Sequence, residues 1–190
     1  MIPILKLCKM NTSDETKLVV KVQNQNPIGL LDLTLSLTNL SLQYSRFLSK
    51  SGCEINKYED QLYVKDVKEL KNGSAIIELI DQNKHLITDN AGSIMPAIVG
   101  INSIGKFLEY LKNAYDYLLG KKKEKPEFFP DKKRELEQLN DLVGITAKDP
   151  NSTIQFSVVQ NAQTINNYNI TYQEANASQN VLKSLMAKTI

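Results

Sequence analysis

The pattern of apolar and polar positions predicts alternating short strands and longer helices in this chain. Residues 17–23 (KLVVKVQ) are short and β-branched, which predicts a strand. Residues 30–50 carry two overlapping patterns, since leucines alternate with polar residues over the first half while a helical seam runs through the whole segment. The seam consists of Leu30, Leu33, Leu37, Leu40, Tyr44 and Phe47. Because strands of this length are uncommon, we predict a helix over 30–50 and keep a strand as the alternative.

Two apolar runs with a glycine turn between them predict a β-hairpin. The runs cover residues 61–70 and 74–80, and Lys71-Asn72-Gly73 separates them. Asn-Gly suits the positive φ angles of a type I′ turn. The second run is apolar at both odd and even positions, so we expect neither of its faces to be left fully exposed.

The most regular segment of the sequence predicts a long amphipathic helix over residues 94–119. Its apolar positions step by four and three through three heptads. They are Ala97, Ile101, Ile104, Leu108, Leu111, Tyr115 and Leu118. Gly120 stands where a helix C-cap belongs.

The last third of the chain begins with a charged segment bounded by prolines. Residues 121–130 (KKKEKPEFFP) predict a linker, and residues 131–143 predict a helix. Alternating positions near 154–158 and 168–170 predict two strands with an Asn/Gln-rich connection. Thr171 followed by Glu174 forms a capping box, which predicts the start of a terminal helix.

These elements predict an α+β protein, with small antiparallel sheet units packed against long amphipathic helices. The predicted order is β-α-β-β-α, linker, α-β-β-α. We expect residues 1–120 to form an α+β domain that ends in the long helix. Residues 121–130 form a basic linker in this prediction, and residues 131–190 form an α-β-β-α subdomain.

Composition narrows the classes of protein that this sequence fits. The 190 residues carry 23 Lys+Arg and 21 Asp+Glu, a net charge of +2, which is too small to indicate a nucleic-acid partner. Two cysteines are too few for a disulfide framework, and one histidine, His85, excludes a site that needs two imidazoles. We therefore expect no metal, no cofactor and no catalytic residue, which favours a non-enzymatic protein. The N-terminus lacks a basic leader, so we expect a cytoplasmic protein, with peripheral membrane association as the alternative.

One motif matches the core of a phosphate-binding loop. Gly100, Gly105 and Lys106 have the spacing G-x-x-x-x-G-K, in which backbone amides and a lysine hold phosphates. Phe107 follows where a magnesium-binding Ser or Thr would stand, and the heptad seam continues through the motif. We favour the interpretation that the two glycines let a helix pack closely against a neighbour. A degenerate nucleotide site remains the alternative.

The linker holds the main concentration of positive charge, at Lys121, Lys122, Lys123 and Lys125. These lysines fit an anionic contact such as lipid headgroups, and Phe128 and Phe129 would add an apolar element to it. Interleaved glutamates dilute the charge, which favours a solvated linker anchored by the two phenylalanines. The apolar segment 94–105 adds the alternative of a membrane-inserting protein, although it is shorter than the roughly 20 residues of a span.

Several stretches resemble a group of uncharacterised bacterial proteins of similar layout. They are the hairpin runs 62–65 and 73–80, the helix end 115–121, and residues 147–149, 156–159 and 174–177. The resemblance covers residues 60 to 180 and implies a bacterial, cytoplasmic origin. No established activity of the group provides a site to transfer.

The leading functional hypothesis is an interaction or assembly module. It predicts that the apolar seam of the 94–119 helix either self-associates or binds a protein partner. The alternative for the same seam is packing against the core of its own domain.

Overall fold

The computed structural model describes residues 15–53, 55, 56, 59, 61–71, 73–81 and 103–189. Mixed helices and antiparallel strands confirm the predicted α+β class. The elements follow the order β1 (Thr16–Gln23), α1 (Leu30–Lys50), β2 (Tyr63–Lys71), β3 (Ser74–Ile80), α2 (Ser103–Leu118), α3 (Lys133–Leu142), α4 (Gly144–Ala147), β4 (Thr153–Gln160), β5 (Gln163–Thr171) and α5 (Tyr172–Lys188).

The strands of both hairpins belong to one antiparallel sheet of order β2-β3-β1-β4-β5. β1 lies at its centre, where Val20 stands opposite Ile77 of β3 and opposite Phe156 of β4. The backbone ladder is therefore continuous between the parts of the chain before and after residue 120. The division into 1–120 and 131–190 stays a prediction.

Helices cover one face of this sheet. Leu18, Val20 and Val22 of β1 are buried, whereas the alternate residues Lys17 and Val19 are only half-buried. α2 contacts β1, β4 and β5, and α1 and α5 pack against α2 in turn. The core therefore lies between the sheet and α2, with α3 bridging α1 and α5.

Residues 30–50 form a helix, which removes the strand alternative. Leu40, Tyr44 and Phe47 of the predicted seam are buried, so the seam faces the core over the second half of α1. In the first half, Leu33 and Leu37 are half-buried and pack against the core, and only Leu30, at the start of the helix, is exposed, at 77%.

Both predicted hairpins are present, and the second differs from its prediction. Gly73 has a φ of 76°, which is a positive angle of the kind that the predicted type I′ turn requires. The two strands extend further than predicted, and the turn between them is the two-residue pair Asn161-Ala162, with φ angles of 50° and 62°. The polar residues lie on β5 instead, because a strand at the sheet edge keeps much of its surface in water.

The helix ends follow the expected chemistry. Gly120 adopts a φ of 70°, and the amide of Lys121 donates to the carbonyl of Asp116 at 2.8 Å, which completes a Schellman motif. Thr171 and Glu174 form the predicted capping box at the start of α5. Residues 94–102 of the predicted long helix lie outside the described residues.

Candidate interaction surface

The described seam residues of α2 lie inside the molecule. Ile104, Leu108, Leu111, Tyr115 and Leu118 are between 0% and 5% exposed, and Ala97 and Ile101 lie outside the described residues. The exposed positions of α2 are charged, at Glu109 and Lys112. The described part of the seam thus packs within its own chain.

The lysine of the phosphate-loop motif lies on a helix. Gly105 and Lys106 stand in the first turns of α2, with Gly105 buried, while Gly100 lies outside the described residues. Phe107 is fully buried, with its ring 5.0 Å from that of Tyr44 in an edge-on contact. Position 107 therefore holds an aromatic core residue where a magnesium site would need a hydroxyl.

The 121–130 segment folds against α1 and α2. The ring of Phe129 lies 5.2 Å from that of Tyr117, and the ring of Phe128 lies 6.2 Å from that of Phe47. Lys125 stands over Phe129 at 5.6 Å, a cation–π contact. This geometry agrees with the interpretation that the phenylalanine pair anchors the segment.

A groove of about 910 Å³ brings Lys106 together with the lysines of this segment. It lies between the end of α1, one side of α2 and residues 122–128. Its charged lining consists of Lys50, Lys106, Lys122, Lys125, Glu109, Glu124 and Glu127. Since three carboxylates accompany the four lysines, the groove has a mixed charge that does not favour a phosphate over other ligands.

The other candidates for an anionic contact are only partly free. Lys121 pairs with Glu174 of α5 at 2.6 Å, and Lys122 donates to Asn113 of α2 at 2.6 Å. Lys123 is exposed. The basic concentration seen in the sequence is thus divided among separate contacts.

A buried polar cluster lies where α1 meets the end of β3 and the start of α2. The hydroxyl of Tyr44 lies 2.6 Å from both Asp81 Oδ2 and Ser103 Oγ, and Ser103 Oγ donates to Asp81 Oδ2 at 3.1 Å. Burial raises the pKa of Tyr44 far above its ordinary value, so the phenol stays protonated and donates. Burial, and secondarily the charge of Asp81, raises the pKa of the Cys53 thiol.

These shifts are opposite to those of an activated nucleophile, whose pKa is lowered. His85, the single histidine of the sequence, lies outside the described residues. Within the described segments, no group of three His, Cys, Asp or Glu side chains is arranged to hold a metal.

The inward face of α1 includes buried polar residues in its middle turns, beside Leu40 and Tyr44. The amide of Gln43 is fully buried, where its Nε2 donates to the carbonyl of Glu135 at 3.1 Å and its Oε1 accepts from the hydroxyl of Tyr110 at 3.0 Å. Ser36 is buried as well and donates to the carbonyl of Asp141 at 3.4 Å. These bonds attach α1 to α3, because a buried amide or hydroxyl needs a partner.

An ion pair extends the same contact. Arg46 Nε lies 2.9 Å from Glu135 Oε2, and Arg46 also donates to the hydroxyl of Tyr110 at 3.1 Å. Burial raises the pKa of Tyr110 to about 12, while the Arg46 guanidinium opposes that shift. Polar groups therefore contribute to the contact between α1 and α3, beside the buried leucines of α3.

The outward face of the same helix is apolar. Leu31 is 85% exposed, Leu35 is 47% exposed and Leu42 is 40% exposed. Thr34 and Thr38 lie exposed between them, so this face carries no charge over about 16 Å of helix axis. We call Leu31, Leu35 and Leu42 the leucine face.

The spacing of three leucines in the sequence could have indicated this face. Leu31, Leu35 and Leu42 are four and seven residues apart, which is one helical stripe. Asp32, Arg46 and Lys50 are the charged residues among the 21 of α1. Because two apolar stripes ran along one helix, periodicity did not decide which one faces the core.

No family model, curated protein or solved structure matches this chain. No helix in the described segments combines the length and apolarity that crossing a bilayer requires. Most of the 94–105 segment lies outside the described residues.

Proposed function

We propose that this protein is a non-enzymatic interaction module that binds an amphipathic helix of a partner protein through the leucine face of α1. The observation that carries the proposal is that α1 exposes Leu31 and Leu35 to water while it buries the polar side chains of Ser36 and Gln43. A helix on the surface of a globular protein ordinarily presents charged and polar residues to water. Exposed apolar patches mark sites of interaction.

The shape and chemistry of the leucine face favour a helical partner. Apolar side chains four and seven residues apart form a ridge that fits the groove of a second helix at an axial distance of about 8–10 Å. Complete burial of one leucine contributes about 2 kcal/mol. Leu31 and Leu35 therefore supply the main binding energy, and the partner needs an apolar stripe of its own.

We propose that this interaction takes place in the cytoplasm of a bacterium. The resemblance to bacterial proteins and the small number of cysteines support the cytoplasm of a bacterium. There the partner would be another protein of the same compartment.

The experiment compares complexes of the wild type and of Leu31→Lys with Leu35→Lys, each purified from the native host and weighed by native mass spectrometry. We expect a stoichiometric partner with the wild type and at least a tenfold loss of it with the double variant. Lysine is a good helix former, and both positions are exposed, so the variant should unfold at the same urea concentration as the wild type.

The matched control is Val181→Lys, which replaces another exposed apolar residue on α5. It should retain the partner. A wild type that purifies alone contradicts the proposal, as does a partner retained by the double variant. Flotation with anionic phosphatidylglycerol vesicles that is lost in the double variant would also overturn it, because the face would then bind lipid.

A further inference from the structure

The two edge strands of the sheet differ in how they are protected from pairing with another chain. β2 carries the exposed charges Lys65, Asp66 and Lys68, and its pairing with β3 shifts register twice. Charges and bulges on an edge are the usual protection against edge-to-edge association.

The other edge, β5, has neither charges nor prolines along its nine residues. Its register against β4 shifts once, next to Val159, and is regular from Asn166 to the end of the strand.

The outer side of β5 is open for pairing. β4 is its only neighbouring strand in the described sheet, and the side chains of Asn167 and Asn169 are exposed. In the described part of the chain, the backbone groups that β5 turns away from β4 have no backbone partner. An edge strand of this kind offers a row of free N–H and C=O groups.

We propose that β5 pairs antiparallel with β5 of a second copy of this chain, so that two five-stranded sheets join into one. A two-fold axis at Tyr168 places Asn167 of one copy opposite Asn169 of the other, and the reverse pair forms by symmetry. Each amide side chain has a donor and an acceptor, so the two asparagines complement each other across the strands.

Three features favour a second copy over an unrelated strand. The pairing surface is uncharged, so two copies meet without like-charge repulsion. The residues that meet are the same type on both sides, as an isologous contact requires. The regular run from Asn166 to Ile170 is long enough to form a ladder before α5 begins. β5 is separate from the leucine face, so this inference is independent of the proposed function.

The experiment is sedimentation velocity on the wild type and on Asn167→Lys with Asn169→Lys, over a hundredfold range of concentration. The wild type should reach twice the monomer mass as its concentration rises. The lysine variant should remain a monomer, because two lysines of one copy then face two of the other. Both positions are exposed, so circular dichroism should show an unchanged fold.

Two further variants test whether the pairing is specific to β5. Val64→Lys on the opposite edge strand is the matched control and should dimerise like the wild type. A copy with Asn167→Glu and Asn169→Glu should form a heterodimer with the lysine variant, since opposite charges then meet. A monomeric wild type, a dimeric lysine variant, a monomeric control or a failed heterodimer would each overturn the inference.

Discussion

The hydroxyl of Tyr44 holds together three parts of the chain. Its partners, Asp81 and Ser103, lie at the end of β3 and the start of α2, so one side chain of α1 connects both elements. All three residues are buried. A buried carboxylate depends on such donors, because water does not replace a lost one.

We expect Tyr44→Phe to lower the free energy of unfolding by about 1–3 kcal/mol, since Asp81 then loses the hydrogen bond that Tyr44 donates at 2.6 Å. The ring itself would still pack on Phe107. Urea denaturation followed by circular dichroism measures the change.

Tyr117→Phe is the matched control for this prediction. In the described part of the chain the hydroxyl of Tyr117 makes no hydrogen bond, while its ring contacts Phe129. The control should stay within about 0.5 kcal/mol of the wild type. Equal effects of the two substitutions would show that the cluster contributes nothing specific.

The sequence predicted only part of what Tyr44 contacts. Tyr44 was predicted to lie on an apolar helical seam, and its ring does. Its hydroxyl partners are 37 and 59 residues away in the chain, a distance over which periodicity carries no information.

Local chemistry decides where α5 begins. Thr171 Oγ1 accepts from the amide of Glu174 at 3.3 Å, and Glu174 Oε2 accepts from the amide of Thr171 at 3.0 Å. Lys121 and the amide of Thr171 lower the pKa of Glu174 against the opposing effect of its burial. Four neighbouring residues contain this whole capping motif, so the sequence alone predicted it.

Thr171→Ala should destabilise the protein by about 1 kcal/mol, because the first turn of α5 loses its side-chain acceptor. Thermal or urea unfolding measures this loss. Thr171→Ser keeps the oxygen and should recover most of the stability. A serine variant as unstable as the alanine variant would contradict a capping role.

α1 shows the limit of prediction at the scale of an element. Its bounds were predicted correctly as 30–50, because a helical seam covered the full length. The sequence did not predict that the leucine face of α1 points toward water. α3 decides it, since Asp141 and Glu135 offer carbonyls that Ser36 and Gln43 bind.

β1 joins the two halves of the molecule. Leu18 is fully buried and stands opposite Leu79 on one side and Val158 on the other. A residue in this position contacts both hairpins. The two hairpins should therefore unfold together, in one cooperative transition.

We expect Leu18→Ala to reduce stability by about 2–5 kcal/mol and to do so equally for both hairpins. Native-state hydrogen exchange is the measurement, with amides of β3 and β4 as reporters. Val181→Ala on the surface of α5 is the control and should change little. Loss of protection in β3 at one urea concentration and in β4 at another would contradict this prediction and support two subdomains.

The sequence by itself determined the identity of most elements and the chemistry at their ends. Helical seams, an Asn-Gly turn, a terminal glycine and a capping box are short-range patterns, and steric and hydrogen-bonding rules act on them within a few residues. The tertiary structure decided which stripe of α1 faces water, that the α2 seam is internal, and that both hairpins share β1. These outcomes depend on partners far apart in the chain, such as Gln43 with Glu135 or Leu18 with Val158, and only the folded packing brings such partners together.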